Sequence, residues 1–250
     1  MSGLVKSEGW FYDDLDNVKI GFKVDEVLFR GKSPLQDILV FQNAEFGRVL
    51  VIDGTIQLTE KDECAYHEMI AHLPLNSHPE PKRVLILGGG DGGVAREVVK
   101  NSTVETVDIC EIDQMVLDVS RKYLPFTSCG LDHPKVTVHV QDGAEFIKAV
   151  QHKYDVIITD SSDFTEEPSP STALFQLQYY QGVKEALAPD GIMCSQAMGM
   201  WTDEDHTRMI FQACASVFNS VEYAHTYVPS SLGGCNGFVL CTDTQIVKFR

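Results

Sequence analysis

The stretch VLILGGGDGGVAREVV, residues 84–99, constrains the fold more than any other part of this chain. A short apolar run, Val84 to Leu87, enters a loop with five glycines, and a helical pattern leaves it at Val94. Gly88, Gly90 and Gly93 match G-x-G-x-x-G, the spacing that lets a backbone turn tightly and approach a nucleotide at a helix N-terminus. Asp91 departs from that pattern. A carboxylate aimed at the ligand repels the pyrophosphate that the helix dipole would attract, so the loop calls for a ligand that suits both glycines and an acid.

The rest of the chain places this unit in a larger pattern. Val84–Leu87, Thr106–Cys110, Val136–Val140 and Val156–Thr159 are apolar runs separated by helical segments such as QMVLDVSRKYL. That alternation predicts a parallel sheet with crossover helices. A strand at Ile192–Ser195, a helix around 203–218 and strands at Val221–Val228 and Gly237–Cys241 follow. Upstream, VKIGFKV, DILVF, RVLVI and TIQL read as short strands, with Asp53-Gly54 as a hairpin signal. We therefore expect an N-terminal antiparallel β domain over residues 1–60 and a Rossmann-like catalytic domain over 61–250. The segment KDECAYHEMIAHLPL between them is a helix, ended by Pro79 and Pro81.

Composition narrows the partners. Thirty-six acids against twenty Lys and Arg give a formal charge of −16, whereas nucleic-acid binding needs a basic surface, so no nucleic-acid partner is expected. Seven scattered cysteines without a C-x-x-C pair indicate neither a disulfide framework nor a zinc site. The first residues lack a basic start with an apolar core, and no apolar run reaches ~18 residues, so we expect no membrane span and a cytoplasmic location.

In an open α/β sheet the ligand lies outside the carboxyl ends of the strands. This sequence puts acids there repeatedly: Asp91 after the first strand, Glu111 at the end of the second, Asp142 after the third, and Asp160 with Asp163 after the fourth. Glu111 lies 18 residues past Gly93, close to the ~20-residue interval at which an acid accepts the ribose hydroxyls. Asp142, followed by Gly143, can accept from an exocyclic adenine amine. Helix capping is the competing use for any one of these acids. Acids at four successive strand ends describe a nucleoside site. A nucleoside bearing a sulfonium and an amine in place of phosphate would also explain Asp91, which points to S-adenosylmethionine or its decarboxylated form and to a class I methyltransferase-like α/β fold.

LGGGDGGVAREVV, CEIDQMV, YDVIITDSSD, LQDILVF and EMIAHLPL together resemble the aminopropyltransferases of the spermidine synthase family, from about Gly9 to the end. The resemblance implies transfer of an aminopropyl group from decarboxylated S-adenosylmethionine, a co-substrate and not a prosthetic group, to putrescine, by a homodimer. It implies donor contacts at Gln36, His67, Asp91, Glu111, Asp142 and Gly143. Asp160 becomes the base that takes the proton of the attacking amine, Asp163 holds the diamine, and Tyr66 helps to position it.

The acceptor half departs from the family pattern. Phe164 follows DSSD where the family has Pro-x-Gly-Pro, the loop FTEEPSPST at 164–172 is longer, Met198 stands where a Glu precedes the tryptophan, and Ser231 replaces a tyrosine that contacts putrescine. The N-terminal W-P-G-Q is absent, and the chain ends at Arg250 without the family's usual C-terminal extension. These changes leave open an aminopropyltransferase with another amine acceptor, a putrescine N-methyltransferase-like enzyme, and a weakly active paralogue serving as a binding partner. Three side readings remain. The histidines of HEMIAH are five apart and so roughly 140° apart around a helix, which argues against a shared metal. Tyr179 and Tyr180 read as the core and surface of one helix. Trp201 either packs or lies near the active site, matching a family tryptophan.

Overall fold

The computed structural model describes residues 9–15, 18–161, 177–201 and 204–245. Asp163, Phe164 and the loop 164–172 lie outside the described residues.

Two antiparallel sheets come first. β1 (Trp10–Leu15) pairs with β2 (Val18–Lys23), and β3 (Glu26–Lys32), β4 (Asp37–Asn43), β5 (Gly47–Ile52) and β6 (Thr55–Thr59) form a four-stranded meander. Asp53 and Gly54 both have positive φ, 50° and 88°, as a two-residue hairpin turn demands. The sequence reading omitted β1 and β3. β3 is an edge strand carrying Glu26, Arg30 and Lys32, and charge of that kind, which blunts an edge, also masks strand periodicity. Residues 38–41 of DILVF form an unbroken apolar run because both faces of β4 are covered there. Ile38 and Val40 pack with Val116, Val119 and Leu124, whereas Leu39 and Phe41 pack with Phe11 and Phe22 of the first hairpin.

α1 (Glu63–Ser77) follows and continues through Pro74 before stopping ahead of Pro79. The remaining elements are β7 (Arg83–Gly88), α2 (Gly93–Val98), β8 (Thr106–Glu111), α3 (Gln114–Tyr123), α4 (Pro125–Ser128), β9 (Val136–Val140), α5 (Gly143–Lys148), β10 (Tyr154–Asp160), α6 (Leu177–Ala186), β11 (Leu187–Ala197), α7 (Glu204–Ala215), β12 (Ser220–Tyr227) and β13 (Cys235–Thr242). The seven strands lie in the order β12-β13-β11-β10-β7-β8-β9, with β13 antiparallel to both neighbours and the other pairs parallel. Alternate residues feed two cores. Leu85, Leu87 and Ile157 face one, and Val84, Ile86, Val156 and Ile158 the other, which is why these strands are continuous apolar runs. This is the α/β, methyltransferase-like sheet with an N-terminal antiparallel β region that the sequence predicts.

Strand order reverses at β7, whose neighbours are β8 on one side and β10 on the other. The carboxyl ends of β7 and β10 therefore open a crevice at the point where ligands bind in such sheets. Tyr179 and Tyr180 correct the sequence reading, because both are buried in the core and neither is on the surface. The buried side of helix α6 is wide enough to take both, together with Val183 and Ala186, and Tyr179 shares a hydrogen bond with Thr159 of β10. All seven cysteines are free thiols.

Candidate active site

The glycine loop is shaped by its protein neighbours. Gly88 has φ +86°, and a Cβ there would lie 1.9 Å from the Asp160 carbonyl oxygen. Gly89 N–H donates to that same carbonyl at 2.8 Å. A Cβ on Gly90 would meet Glu111 Oε2 at 2.6 Å, and one on Gly93 would meet the His67 ring at 2.3 Å. The spacing that suggests close approach of a ligand thus also brings Asp160, Glu111 and His67 against the loop.

Asp91, His67 and Asp160 converge there. One ring nitrogen and two carboxylate oxygens lie within 4.8 Å of one another, the one such donor cluster among the described residues close enough to share a cation. His67 Nε2 is 3.3 Å from Asp91 Oδ1, and Asp91 Oδ1 also accepts from Gly93 N at 2.7 Å. Burial pushes the Asp91 carboxyl up, but the charge and hydrogen bond of His67 outweigh it and hold the group below the usual carboxylate range. His67 moves oppositely: burial disfavours its charge, yet Asp91, Glu63 and Asp160 together raise it to about 10.

Asp160 ends β10. Its Oδ1 accepts from the Tyr66 hydroxyl at 2.7 Å, and Tyr66 also lies 3.3 Å from Gln196 Oε1. Asp160 Oδ2 is buried and has no hydrogen-bond partner among the described residues. Burial and the negative charge of Asp91 push this carboxyl up to about 6, against the lowering effects of His67 and Tyr66. Since buried polar atoms are normally satisfied, an orphan carboxylate oxygen at a strand end marks a place for a donor from outside the chain.

Glu111 is buried at the end of β8, accepts from Asp113 N at 2.8 Å, and is raised to about 7 chiefly by burial. Asp113 caps α3 through Met115 N and also accepts a short hydrogen bond from Ser33. Ser33 Oγ in turn accepts from Gln36 N at 2.9 Å, so the buried Gln36 of the connection between β3 and β4 is tied to the turn that carries Glu111. Asp142 does cap α5, accepting from Ala144 N at 2.8 Å. It still stands beside Glu111, whose carbonyl accepts from Gln141 N at 3.1 Å. Gly143 opens α5 next to it.

Other expectations separate from this cluster. His72 turns to Glu97 at 3.3 Å and does not approach His67. Trp201 is 84% exposed, which removes the packing alternative. At Met198 it is the backbone carbonyl that is engaged, accepting from Thr207 Oγ1 at 3.0 Å and Tyr223 Oη at 3.2 Å. Ser231 lies in the turn from β12 to β13, next to Ser230, whose N–H and hydroxyl both donate to Asp62 at 2.8 Å. Sequence reasoning missed Glu63, Arg96, Asp113, Gln196 and the Asp62 clamp. Only Glu63 had a usable signal, its i,i+4 spacing from His67 on a helix.

A mostly parallel sheet with a glycine loop at its switch point, and buried acids facing the same crevice, defines an α/β transferase of the methyltransferase-like type. Comparison with known proteins makes this specific. The spermine/spermidine synthase domain matches residues 63–250, and the spermidine synthase tetramerisation domain matches 9–60. The chain is 50% identical over 237 residues to a spermidine synthase of Dictyostelium discoideum, covering 94% of this chain and 82% of that protein. It is 50% identical over 231 residues to a spermidine synthase of Coffea arabica, covering 91% and 72%. A crystal structure of spermidine synthase with the transition-state analogue AdoDATO matches with TM-score 0.92 at 34% identity, over 96% of this chain and 82% of that one. The chain belongs to the spermine/spermidine synthase family. It is an aminopropyltransferase, and its function is that of a spermidine synthase. No helix among the described residues is long and apolar enough to cross a membrane.

Proposed function

We propose that the crevice binds decarboxylated S-adenosylmethionine as co-substrate and transfers its aminopropyl group to putrescine. The amine nitrogen forms a bond to the propyl carbon beside sulfur, the carbon–sulfur bond breaks with its electron pair going to sulfur, and methylthioadenosine leaves. A sulfonium is already a good leaving group, so the enzyme's task is to present a neutral amine in line. Asp160 accepts the proton of that amine. The observation that carries this reading is Asp160 Oδ2, buried and unpartnered beside a tyrosine hydroxyl that fixes the other oxygen.

On this reading Glu111 takes the ribose hydroxyls, Asp142 and Gly143 the adenine edge, and Gln36 and His67 complete the donor pocket. Asp91 pairs with the donor's ammonium, and the same charge rejects the carboxylate of ordinary S-adenosylmethionine. Tyr66 and Asp163 hold the diamine. No metal takes part: Asp91 and Asp160 face the substrates' own amines. The N-terminal β domain, residues 1–60, serves self-association of a cytoplasmic enzyme with a homodimer as its smallest unit, and residues 61–250 carry the chemistry. The deciding experiment incubates the purified chain with each of the two donors and a panel of diamines, and identifies products by mass. Spermidine from putrescine and the decarboxylated donor is expected. Methyl transfer, another preferred diamine, or no turnover overturns the reading.

A further inference from the structure

The buried charges behind the donor pocket are not used by the mechanism above. Glu63, in the first turn of α1, is almost fully buried, and its two oxygens meet Arg96 of α2 at 2.8 and 2.9 Å. That guanidinium is itself fixed, donating to the Phe126 carbonyl at 2.7 Å and to Glu97 at 2.8 Å. A carboxylate so clamped cannot turn away. One turn along α1, His67 Nδ1 lies 2.5 Å from Glu63 Oε2, while its other nitrogen faces Asp91.

We propose that Glu63 is a positioning residue for the transfer reaction: clamped by Arg96, it holds His67 as a fixed cation between itself and Asp91, and that cation sets the charge of the acids that meet the substrate amines. The inference rests on the proposed roles of Asp91 and Asp160. Its basis is the hydrogen-bond inventory of imidazole. A neutral ring has one N–H and one lone pair, so it would turn a lone pair toward one of the two carboxylates, whereas the protonated ring donates to both. Gly93 supports the arrangement, because any side chain there would strike the ring.

The charges around this ring can be named. Glu63 faces it from α1, Asp91 from the glycine loop and Asp160 from the end of β10, while the Tyr66 ring lies 5.5 Å away edge-on. Arg96 lies beyond Glu63, with Glu97 on its far side bonded to Lys100 at 2.6 Å. Asp160 in turn faces Asp91, His67 and Tyr66, with Glu111 also close enough to feel its charge. Without a cation at His67, Asp91 and Asp160 would repel each other unscreened in a buried site, and one of them would take up a proton. Glu63 and Arg96 thus act on catalysis without touching substrate.

The test follows the imidazole directly and does not depend on turnover. In the full chain labelled with ¹⁵N-histidine, the His67 ring is assigned among the eight histidines by its loss in His67→Asn, and its nitrogens are followed across neutral pH. The expected result is a doubly protonated ring up to at least pH 8 in the unmodified chain. In Glu63→Gln, with Asp91 and Asp160 still facing the ring, it should lose its second proton at a clearly lower pH than in the unmodified chain. In the same variant the acid limb of kcat should move up by about one unit or more, the size of effect that an opposite charge within ~4–6 Å supplies. Glu63→Asp, which keeps the charge, should restore part of both. A singly protonated His67 at pH 7 in the unmodified chain overturns the proposal even if the variants fail to fold, and so does a ring that responds to added zinc ion. A Glu63→Gln variant that only loses thermal stability, with ring charge and pH profile unchanged, reduces Glu63 to packing and also overturns it. A doubly protonated ring that Glu63→Gln neutralises, in a chain without aminopropyl transfer, would instead sink the function proposed above and leave the charge assignment standing.

Discussion

Tyr66 donates its hydroxyl to Asp160 Oδ1 at 2.7 Å, across the 94 residues that separate α1 from the end of β10. This bond orients the carboxyl so that Oδ2 alone is offered to a ligand, and it opposes the upward push of burial and Asp91 on the group. If Asp160 is the base, Asp160→Asn lowers kcat by roughly 10²–10⁴ with little change in donor affinity, the range for a positioned general base. Near-normal turnover in that variant would remove Asp160 from the mechanism.

A pH profile tests the same pair from the other side. Asp160 must be ionised to accept a proton, so kcat should fall as pH drops through about 6. Tyr66→Phe removes a bond that favours the ionised form, and the acid limb should move to higher pH, with the largest loss between pH 6 and 7. Steady-state rates measured at saturating diamine from pH 5 to 9 decide this. A limb that stays in place means that Tyr66 positions the diamine only.

Glu111 gives a stability signature of its own. Its carboxyl is raised to about 7 in the fold, mainly by burial, against an ordinary value of 4.5, so the native chain holds an extra proton between those limits. Stability should then fall as pH rises from about 4.5 to 7, and Glu111→Gln should flatten that part of the curve. An ionised Glu111 is the better acceptor for ribose hydroxyls. Donor affinity should therefore rise with pH through the same window, with proton uptake by the buffer visible in calorimetry. Glu111→Ala should weaken donor binding by about 10- to 100-fold, for charge-assisted bonds worth ~1.5–3 kcal/mol.

What the sequence reveals is what lies next to a strand end. Asp91, Glu111, Asp142 and Asp160 were legible because each follows its apolar run within a few residues, and the fold rule for such sheets says where those ends meet. The residues that hold them were not. Glu63 meets Arg96 from 33 residues away, Ser33 meets Asp113 from 80, and Asp62 meets Ser230 from 168, contacts that no periodicity encodes. Tyr180 was misplaced because helical spacing gives relative faces only, and α6 has a wide buried side that includes both tyrosines. Gly93 shows the same limit: the motif supplies its position, but only the fold shows that the space it leaves is filled by His67.

That filled space makes the glycines testable. Gly88→Ala asks an L side chain to adopt φ +86° with its Cβ inside the Asp160 backbone, which cannot relax by rotation, so this variant should fail to fold or lose well over ~3 kcal/mol. Gly90→Ala meets the end of the Glu111 side chain instead. We expect a milder loss of about 1–3 kcal/mol in chemical denaturation, together with weakened donor binding, since the displaced carboxylate is the proposed ribose acceptor.

The last prediction concerns the turn that carries Ser231, where the chain departs most from its family pattern within the described residues. Asp62, at the start of α1, accepts from Thr59 Oγ1 at 2.5 Å and from both the N–H and the hydroxyl of Ser230, so one buried carboxylate ties the N-terminal sheet, the helix bearing Tyr66 and the turn from β12 to β13. Removing it in Asp62→Ala leaves the Ser230 N–H buried without a partner. The cost should be about 1.5–3 kcal/mol or more, since hydrogen bonds to a charged group are lost. If this turn borders the diamine, putrescine KM should rise while donor affinity holds, because a contact made equally before and during reaction appears in KM. Ser231→Tyr probes the same border in the opposite sense. Restoring the tyrosine that the family resemblance places on the diamine should lower putrescine KM, provided the clamp at Ser230 keeps the turn where it is. Steady-state kinetics on both variants settle the matter: a donor affinity that falls with Asp62→Ala would mean general loosening of the site, and an unchanged putrescine KM in Ser231→Tyr would remove this turn from the acceptor pocket.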